Sequence, residues 1–419
     1  MYQAENIRAV LAGRGRGVRG LWPRVNRTVL LLGVTSLFTD ISSEMVATIL
    51  PLYLVYTLGF TPLQFGFIDG LYQGASALVR IASGLVGDRW SRHKEVAVLG
   101  YGLSAICKPL FLVVGAAWGF LVAIILIDRT GKGIRTAPRD ALISLSTPRD
   151  QLATAFGVHR ALDTVGAMLG PLLAFFLLAL RPGHFKPIFV ISFCFAVVGL
   201  AVLVLFVENR RPADSAPAES VSLRSAGHLL AEPNFRRLVI VGAALGLVTM
   251  SDGFLYLGLQ RQVDFDPSYL PLLFVGTAAI FMLLAIPAGR IADRIGRARV
   301  FLCGFVPLLL AYVLLLGPSF GVLELGIFLV LVGAYYAATD GVLMALASST
   351  VPEHLRGSGL ALLVTATSLA KLVASIAFGA LWTAFDAETA VIAFAVGLAV
   401  TLCLAAIGLS VNPRRPLSA

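Results

Sequence analysis

The chain has 419 residues, 58% of them hydrophobic and 13% charged, with a mean hydropathy of +0.87. This is far more apolar surface than a water-soluble core can hide, so the composition excludes a soluble globular or disordered protein and indicates an integral membrane protein. The net charge of +10 would suggest nucleic acid in a soluble chain, but here the cations fall between apolar runs, which points to membrane topology and to no nucleic-acid partner.

In lipid every backbone polar group needs an internal partner, so apolar runs of about 20 residues, enough to cross roughly 30 Å of hydrocarbon, read as helices. A basic tail, residues 1–27, comes first; it lacks a short apolar region with a small-residue cleavage site, so no cleaved signal peptide is expected. Spans at 28–57, 62–87, 95–115, 117–138, 153–180 and 187–207 form an N-terminal six-helix bundle over 28–207. Residues 208–236, which include Arg210-Arg-Pro-Ala-Asp-Ser-Ala-Pro-Ala-Glu-Ser220, read as a flexible cytoplasmic linker. Spans at 237–259, 269–290, 299–317, 321–345, 360–383 and 388–410 form a C-terminal bundle over 237–410, followed by a tail at 411–419.

Arg8, Arg14, Arg16, Arg19, Arg24 and Arg27 precede the first span, and Arg89, Arg92, Lys94, Arg135, Arg139, Arg149, Arg210, Arg211, Arg236 and Arg237 fall in every second connection. The intervening loops carry mainly Arg181, Lys186 and Arg261, so both termini are expected in the cytoplasm of a bacterial-type inner membrane. Cys107, Cys194, Cys303 and Cys403 all lie inside apolar runs without CxxC or metal-ligand spacing. They are expected to be small buried apolar residues, with no metal and no cofactor.

A polar turn, Gly84-Leu-Val-Gly-Asp88-Arg89-Trp-Ser-Arg92-His-Lys94, follows the second span, and its grammar returns after the eighth as Gly289-Arg-Ile-Ala-Asp293-Arg294-Ile-Gly-Arg297-Ala-Arg299. At nearly the same offset, Ala141 to Pro148 lies over Ala345 to Pro352, so the chain reads as two halves of common design. Over its full length it resembles the permeases of the major facilitator superfamily (MFS). Arg129-xxx-Gly133-xxx-Ala137 and Gly166-xxx-Gly170-Pro171-xx-Ala174 resemble that superfamily's antiporter motifs, and the segment Asp128 to Asp140 is similar to permeases linked to metal-ion resistance.

The resemblance implies an all-α membrane fold of twelve helices in two pseudo-symmetric bundles, with a substrate site between them lined by spans one, four, seven and ten. It also implies that Gly84, Asp88, Arg89, Arg92 and Asp140, with Gly289, Asp293, Arg294 and Arg297, latch the cytoplasmic side. Gly84 would approach the eleventh helix closely, Asp88 would face that helix's positive end, and Arg92 would pair with Asp88 or with Asp140. The plainer reading is that the turn only fixes topology. Gly166 and Gly170 give a small-residue packing face and Pro171 a local bend, with or without a bearing on transport direction.

Ionisable residues within spans cost roughly 2.5–3.5 kcal/mol each at a helix centre, so they must face protein or water. They are Asp40, Glu44, Asp69, Arg80, Lys108, Asp128, Arg129, His159, Arg160, Asp163, Asp252, Asp340 and Lys371. On the spans the resemblance assigns to the cavity, Asp40, Glu44, Asp128, Asp252 and Asp340 give an acidic lean. Asp40 and Glu44 share one helical face, where they hold a proton as a pair or are fixed by Lys108 or Arg129. Arg129 is expected to point away from Asp128, and Lys132 at i+4 towards it. His159 is either a proton relay or a structural hydrogen-bonder. A partner on another helix is expected for Lys371. Tyr256, Tyr335 and Tyr336 either offer rings to a cationic substrate or pack the core.

The function expected from these features is proton-coupled efflux of a small cationic or amphiphilic compound, a drug or a metal ion, by a monomer in the lipid bilayer. A proton-coupled nutrient symporter and a non-cycling receptor are the alternatives. No P-loop, HExxH, nucleophile elbow or cofactor motif suggests an enzyme.

Overall fold

The structure is a computed structural model that describes residues 26–90, 92–148, 151–209, 229–263, 266–317, 321–351 and 356–410. The first half comprises α1 (Arg27–Leu52, ending in a π turn, Tyr53–Thr57), α2 (Pro62–Trp90), α3 (His93–Leu110), α4 (Trp118–Leu145), α5 (Leu152–Leu180) and α6 (Lys186–Phe206). The second comprises α7 in two segments (Pro233–Leu247 and Asp252–Val263), α8 (Leu270–Ile295), α9 in two segments (Arg297–Cys303 and Phe305–Leu314), α10 (Val322–Thr350), α11 (Arg356–Ala384) and α12 (Ala387–Ser410). Among the described residues nine of these spans are long and apolar enough to cross a membrane. Of the other three, α3 and α4 carry several ionisable residues each, and most side chains beyond Val79 on α2 lie outside the described residues.

Apolar side chains cover the outer surface as well as filling the core, and the charges within the spans are mostly buried. Leu205, Leu283 and Val322 are 71, 75 and 87% exposed, whereas Lys108, Asp128 and Arg129 are buried. Of the four cysteines only Cys107 is buried; Cys194, Cys303 and Cys403 are exposed on lipid-facing surfaces, against expectation, because an apolar run does not tell a helix's lipid face from its core face.

The two halves repeat one packing scheme: α1 on α5 and α6, α2 on α4, and α3 on α6 are matched by α7 on α11 and α12, α8 on α10, and α9 on α12. Between the halves α2 packs on α11 and α5 on α8. The α2–α11 seam joins backbone to backbone. A Cβ on Gly66 would stand 2.4 Å from the Ser375 carbonyl oxygen, one on Gly70 2.7 Å from that of Leu372, and one on Gly379 2.4 Å from that of Pro62. The Leu63 N–H donates to Thr383 Oγ1 at 2.9 Å, Ser375 Oγ donates to Asp69 Oδ2 at 2.6 Å, and Phe65 meets Phe254 edge-on at 4.8 Å. Helix order puts this seam at the end of the bundle away from the 207–233 connection. From Pro62 to Gly74 it runs about 18 Å at the helical rise, and Phe175 against Tyr269 closes the same end between α5 and α8.

The repeated polar turns lie at the other end. Gly84, Asp88 and Arg89 fall outside the described side chains, as does Arg80. In the second turn Gly296 takes φ +108°, a conformation that favours glycine, and ends α8. Asp293 accepts from Arg297 at 2.9 Å, and Arg297 also donates to the Ala345 carbonyl of α10 at 3.2 Å, while Arg294 is exposed. This turn is therefore tied within its own half. Among the described residues a Cβ at Gly289 would meet nothing within 4 Å, and Asp140 is paired with Arg139 at 2.9 Å while Arg92 is exposed.

In the α11–α12 turn, the Asp386 carboxylate accepts the Thr389 N–H at 2.6 Å, which holds its pKa below the usual range. Gly66→Ala is expected to destabilise the folded protein by about 1–3 kcal/mol by overpacking the seam. Gly289→Ala is expected to be neutral or to stabilise by up to about 1 kcal/mol through helix propensity. Thermal unfolding of the two purified variants in detergent measures the contrast.

Candidate substrate cavity and charge network

The break in α7 builds the centre of the second half. Thr249 Oγ1 turns back to the Leu245 carbonyl at 2.8 Å. Tyr312 of α9 accepts the Met250 N–H at 2.7 Å and donates to the Val248 carbonyl at 3.3 Å, so its hydroxyl partners two backbone groups that the interrupted helix frees. Ser251 then starts the second segment by accepting the Phe254 N–H at 3.4 Å. Asp252 therefore stands in the first turn of a half-helix, at its positive end, and accepts the Tyr336 hydroxyl at 2.6 Å. The Thr-Met-Ser-Asp-Gly sequence carries the N-cap signal for this break; the reading of one apolar run from 237 to 259 passed over it.

A cavity of about 300 Å³ opens beside Asp252, between the halves. Its acids are Glu44, Asp252 and Asp340, its rings are Tyr256, Tyr336, Phe274 and Phe281, and among the described residues no basic one lines it. Tyr256 is fully buried, donates to Thr277 at 2.7 Å and meets Phe274 edge-on at 4.5 Å, which fixes both rings. A second cavity of about 550 Å³ continues from Asp340 and Phe281 towards the connecting end, past Lys371, Arg160 and Tyr335. Lys371 also faces a third of about 200 Å³ with Asp252 and Gln73, so the partner expected for it on another helix is a field of two acids, Asp252 and Asp340.

Five of the nine cavity candidates, Glu44, Asp252, Tyr256, Tyr336 and Asp340, thus share one space, and Tyr335 lines the next. Phe274 and Phe281 were not anticipated, because apolar side chains on a membrane helix read as lipid-facing. Asp40, Asp128 and Arg129 do not line this cavity.

Those residues belong to a charge network inside the first half. Asp128 accepts Lys108 Nζ at 3.0 Å and Arg129 Nε at 3.0 Å, and also Arg129 Nη2, with all three side chains almost fully buried. Arg129 in turn lies over the Tyr72 ring at 3.6 Å. This corrects the expected pairing: the guanidinium stem is long enough to curl back onto the preceding carboxylate, and Lys132 instead faces Asp40 and Glu44. Further along α4, Arg135 reaches Asp40 at 3.9 Å, and Arg139 reaches Asp163 of α5 at 3.9 Å. His159 bonds the Ser36 hydroxyl at 2.9 Å, and Arg160 rather than His159 is the local partner of Asp163, at 3.3 Å.

The acidic lean expected of the cavity holds for Glu44 of the first half and for Asp252 and Asp340 of the second, while Arg129, Lys132, Arg135 and Arg139 stand along α4 outside its lining. Asp40 and Glu44 also part company, Asp40 turning to Arg135 and Asp163 while Glu44 lines the cavity. Gly166 and Gly170 set α5 on α1: a Cβ would fall 2.5 Å from the Leu37 carbonyl oxygen and 2.8 Å from that of Ile41. Pro171 stays within a continuous helix and lines the 300 Å³ cavity.

Removing Asp128 would leave Lys108 and Arg129 buried without their carboxylate. Asp128→Ala is expected to cost about 3–5 kcal/mol, and Glu44→Gln, which breaks no ion pair within the described residues, less than about 1 kcal/mol. Folded yield and thermal unfolding in detergent report both.

Comparison with known proteins fits this architecture. The chain matches the family described as Major Facilitator Superfamily over residues 32–282 and 253–418. It is 30% identical over 366 residues to an uncharacterised MFS-type transporter of Methanocaldococcus jannaschii, covering 85% of this chain and 89% of that one. It is 29% identical over 338 residues to the multidrug resistance protein MdtG of Klebsiella pneumoniae, covering 76% of each. Its fold is similar to that of the nucleoside transporter NupG, with a TM-score of 0.73 at 16% identity over 92% of this chain and 100% of that one. A POT family transporter in complex with 5-aminolevulinic acid gives 0.76 at 14% identity over 92% and 97%. With both halves matched and a relative of this identity along most of its length, the chain belongs to the Major Facilitator Superfamily of membrane transporters and is not an enzyme.

Proposed function

We propose that the protein is a secondary active transporter of the inner membrane that exports a small cationic or amphiphilic compound in exchange for protons. The observation that carries this reading is the cavity of about 300 Å³ between the halves, lined among the described residues by three carboxylates, four aromatic rings and no basic residue. Carboxylates in a poorly hydrated space attract a cation, and ring faces add cation–π attraction while accepting apolar groups. The likeness to a multidrug resistance protein supports export of such a compound.

With the positive-rich connections in the cytoplasm, this conformation opens inward: the α2–α11 seam closes the outer end, and the 550 Å³ cavity leads towards the cytoplasmic end. Export then requires the halves to rock about the central site, parting the glycine seam outside while the two polar turns come together inside. Asp252 is the primary cation anchor, because the half-helix and Tyr336 fix its carboxylate, and Glu44 and Asp340 complete the charge.

Proteoliposomes with an imposed pH gradient, offered a panel of lipophilic cations and metal ions, test the reading. The expected result is cation flux opposite to proton flux, with Asp252→Asn and Glu44→Gln each weakening apparent affinity by about tenfold or more, roughly 1.4 kcal/mol. Co-directional fluxes would overturn the exchange.

A further inference from the structure

Outside the substrate cavity, the carboxyls of Asp40 on α1 and Asp163 on α5 lie within hydrogen-bonding reach of each other. Two facing carboxylates repel, so a hydrogen bond between them is made by a proton held on one of the pair. The packing that sets them face to face is the small-residue stripe: Gly166 and Gly170 follow Asp163 on the same side of α5, and their missing side chains let α5 settle on the backbone of α1 around Leu37 and Ile41.

Two of the cations around the pair are held short of contact, while the exposed Arg160 already donates to Asp163 at 3.3 Å. Arg135 Nη2 is 3.9 Å from Asp40, and Arg139 Nη1 is 3.9 Å from Asp163, both beyond a direct hydrogen bond. Arg135 is 3% exposed, yet its Nη1 has no hydrogen-bond partner, and its guanidinium rests over the Tyr101 ring at 4.7 Å. A buried guanidinium nitrogen without an acceptor, next to a carboxyl it does not reach, marks an arrangement with a second state. The other groups facing the pair are Lys132 and Asp140 of α4, Arg160 and His159 of α5, and Ser36 of α1, which bonds His159 at 2.9 Å.

We propose that Asp40 and Asp163 form the proton site of this transporter, holding one proton between them, and that its loss draws Arg135 and Arg139 onto the two carboxylates. The step moves one proton and nothing else. The proton arrives from water on one side of the membrane, bridges the pair, and leaves to water on the other side. Its departure leaves two carboxylates, whose charge the two arginines take up by closing the gaps that now separate them. That closure shifts α4 against α1 and α5, and the substrate cavity feels it through Glu44, one turn from Asp40, whose Cβ lies 2.8 Å from the Cβ position of Gly170. The inference rests on the proton-coupled reading above and names the group that carries the coupling.

Two measurements test it. Infrared difference spectra of the unsubstituted protein across a pH titration are expected to show a protonated-carboxyl band that titrates, and Asp40→Asn and Asp163→Asn are each expected to remove it, because the proton is shared. Asp163→Glu, which keeps the pair, is expected to retain a shifted band, and thermal unfolding confirms that the compared variants are folded. In proteoliposomes carrying the cation panel, Asp163→Asn is expected to lose pH-driven flux at least tenfold while keeping cation exchange across the membrane at equal pH. A titrating band that survives in both Asn variants, or pH-driven flux at full rate in Asp163→Asn, overturns the assignment and leaves proton exchange standing. Absence of pH-driven flux for the whole panel in the unsubstituted protein overturns the exchange reading, and with it the coupling role.

Discussion

A charge placed in hydrocarbon must find either an opposite charge or water inside the protein, and the interior of this chain is arranged by which of the two each charge obtains. Asp128, Lys108 and Arg129 obtain each other: one carboxylate shared by two cations, with an aromatic ring beneath the guanidinium, closes the account locally. Glu44, Asp252 and Asp340 obtain a cavity instead. Between these extremes Arg135 and Arg139 of α4 meet acids on α1 and α5 at distances that stop short of full pairing. A closed cluster rigidifies a helix bundle, and an open one can respond to a ligand or a proton. The first half thus supplies a fixed frame with a movable layer beside it, and the second supplies most of the receptive acids.

The same division appears in the backbone. First-half helices run through their charged positions without interruption, and the glycines of α4 and α5 bring neighbouring helices close enough to present those charges to one another. In the second half α7 breaks at Val248 to Ser251 and α9 breaks at Gly304, where a Cβ would meet Ala338 of α10 at 2.7 Å. Breaking α7 frees backbone groups at membrane depth, which is tolerable only where protein or water satisfies them, and the Tyr312 hydroxyl meets two of them. The result is a half-helix whose positive end holds Asp252 at the cavity wall. Pseudo-symmetry in helix packing therefore coexists with asymmetry in chemistry.

Much of this architecture was legible in the sequence because membrane insertion is close to a one-dimensional code: run length gave the spans, and the recurrence of the Gly84 turn at Gly289 gave the two halves. Local pairing was less legible. The i, i+4 rule assigned Lys132 to Asp128 and joined Asp40 to Glu44, but a side chain in a bundle chooses among neighbours on several helices. Lys108 from α3 and the back-folded Arg129 took Asp128, while Asp163 from α5 faced Asp40. Composition likewise could not separate Phe274 and Phe281, which line a cavity, from Leu283, which faces lipid, since all three are apolar residues on α8. The break in α7 was readable in principle, from Ser251 before Asp252 and Gly253, but a long apolar window averages over such a cap.

The two seams between the halves are built differently, and that difference locates the cavity. Along α2 and α11 glycines on both helices bring backbone against backbone from Pro62 to Gly74, with only the 200 Å³ cavity beside Gln73 and Lys371 among the described residues. Along α5 and α8 the closure is made by side chains, Phe175 on Tyr269, and deeper in the bundle the facing residues Ala167, Pro171, Thr277 and Ala278 are too small to fill the gap. Space therefore opens on the α5–α8 side, next to Asp252 and Glu44. A seam of interlocked backbones resists gradual separation, because partial opening forfeits close packing before water can enter, so it favours states that are fully shut or fully parted. A side-chain seam yields by rotamer changes. Rocking of the halves is then expected to pivot near the adaptable α5–α8 contact and to switch at the glycine seam, which keeps the central site open to one side of the membrane at a time.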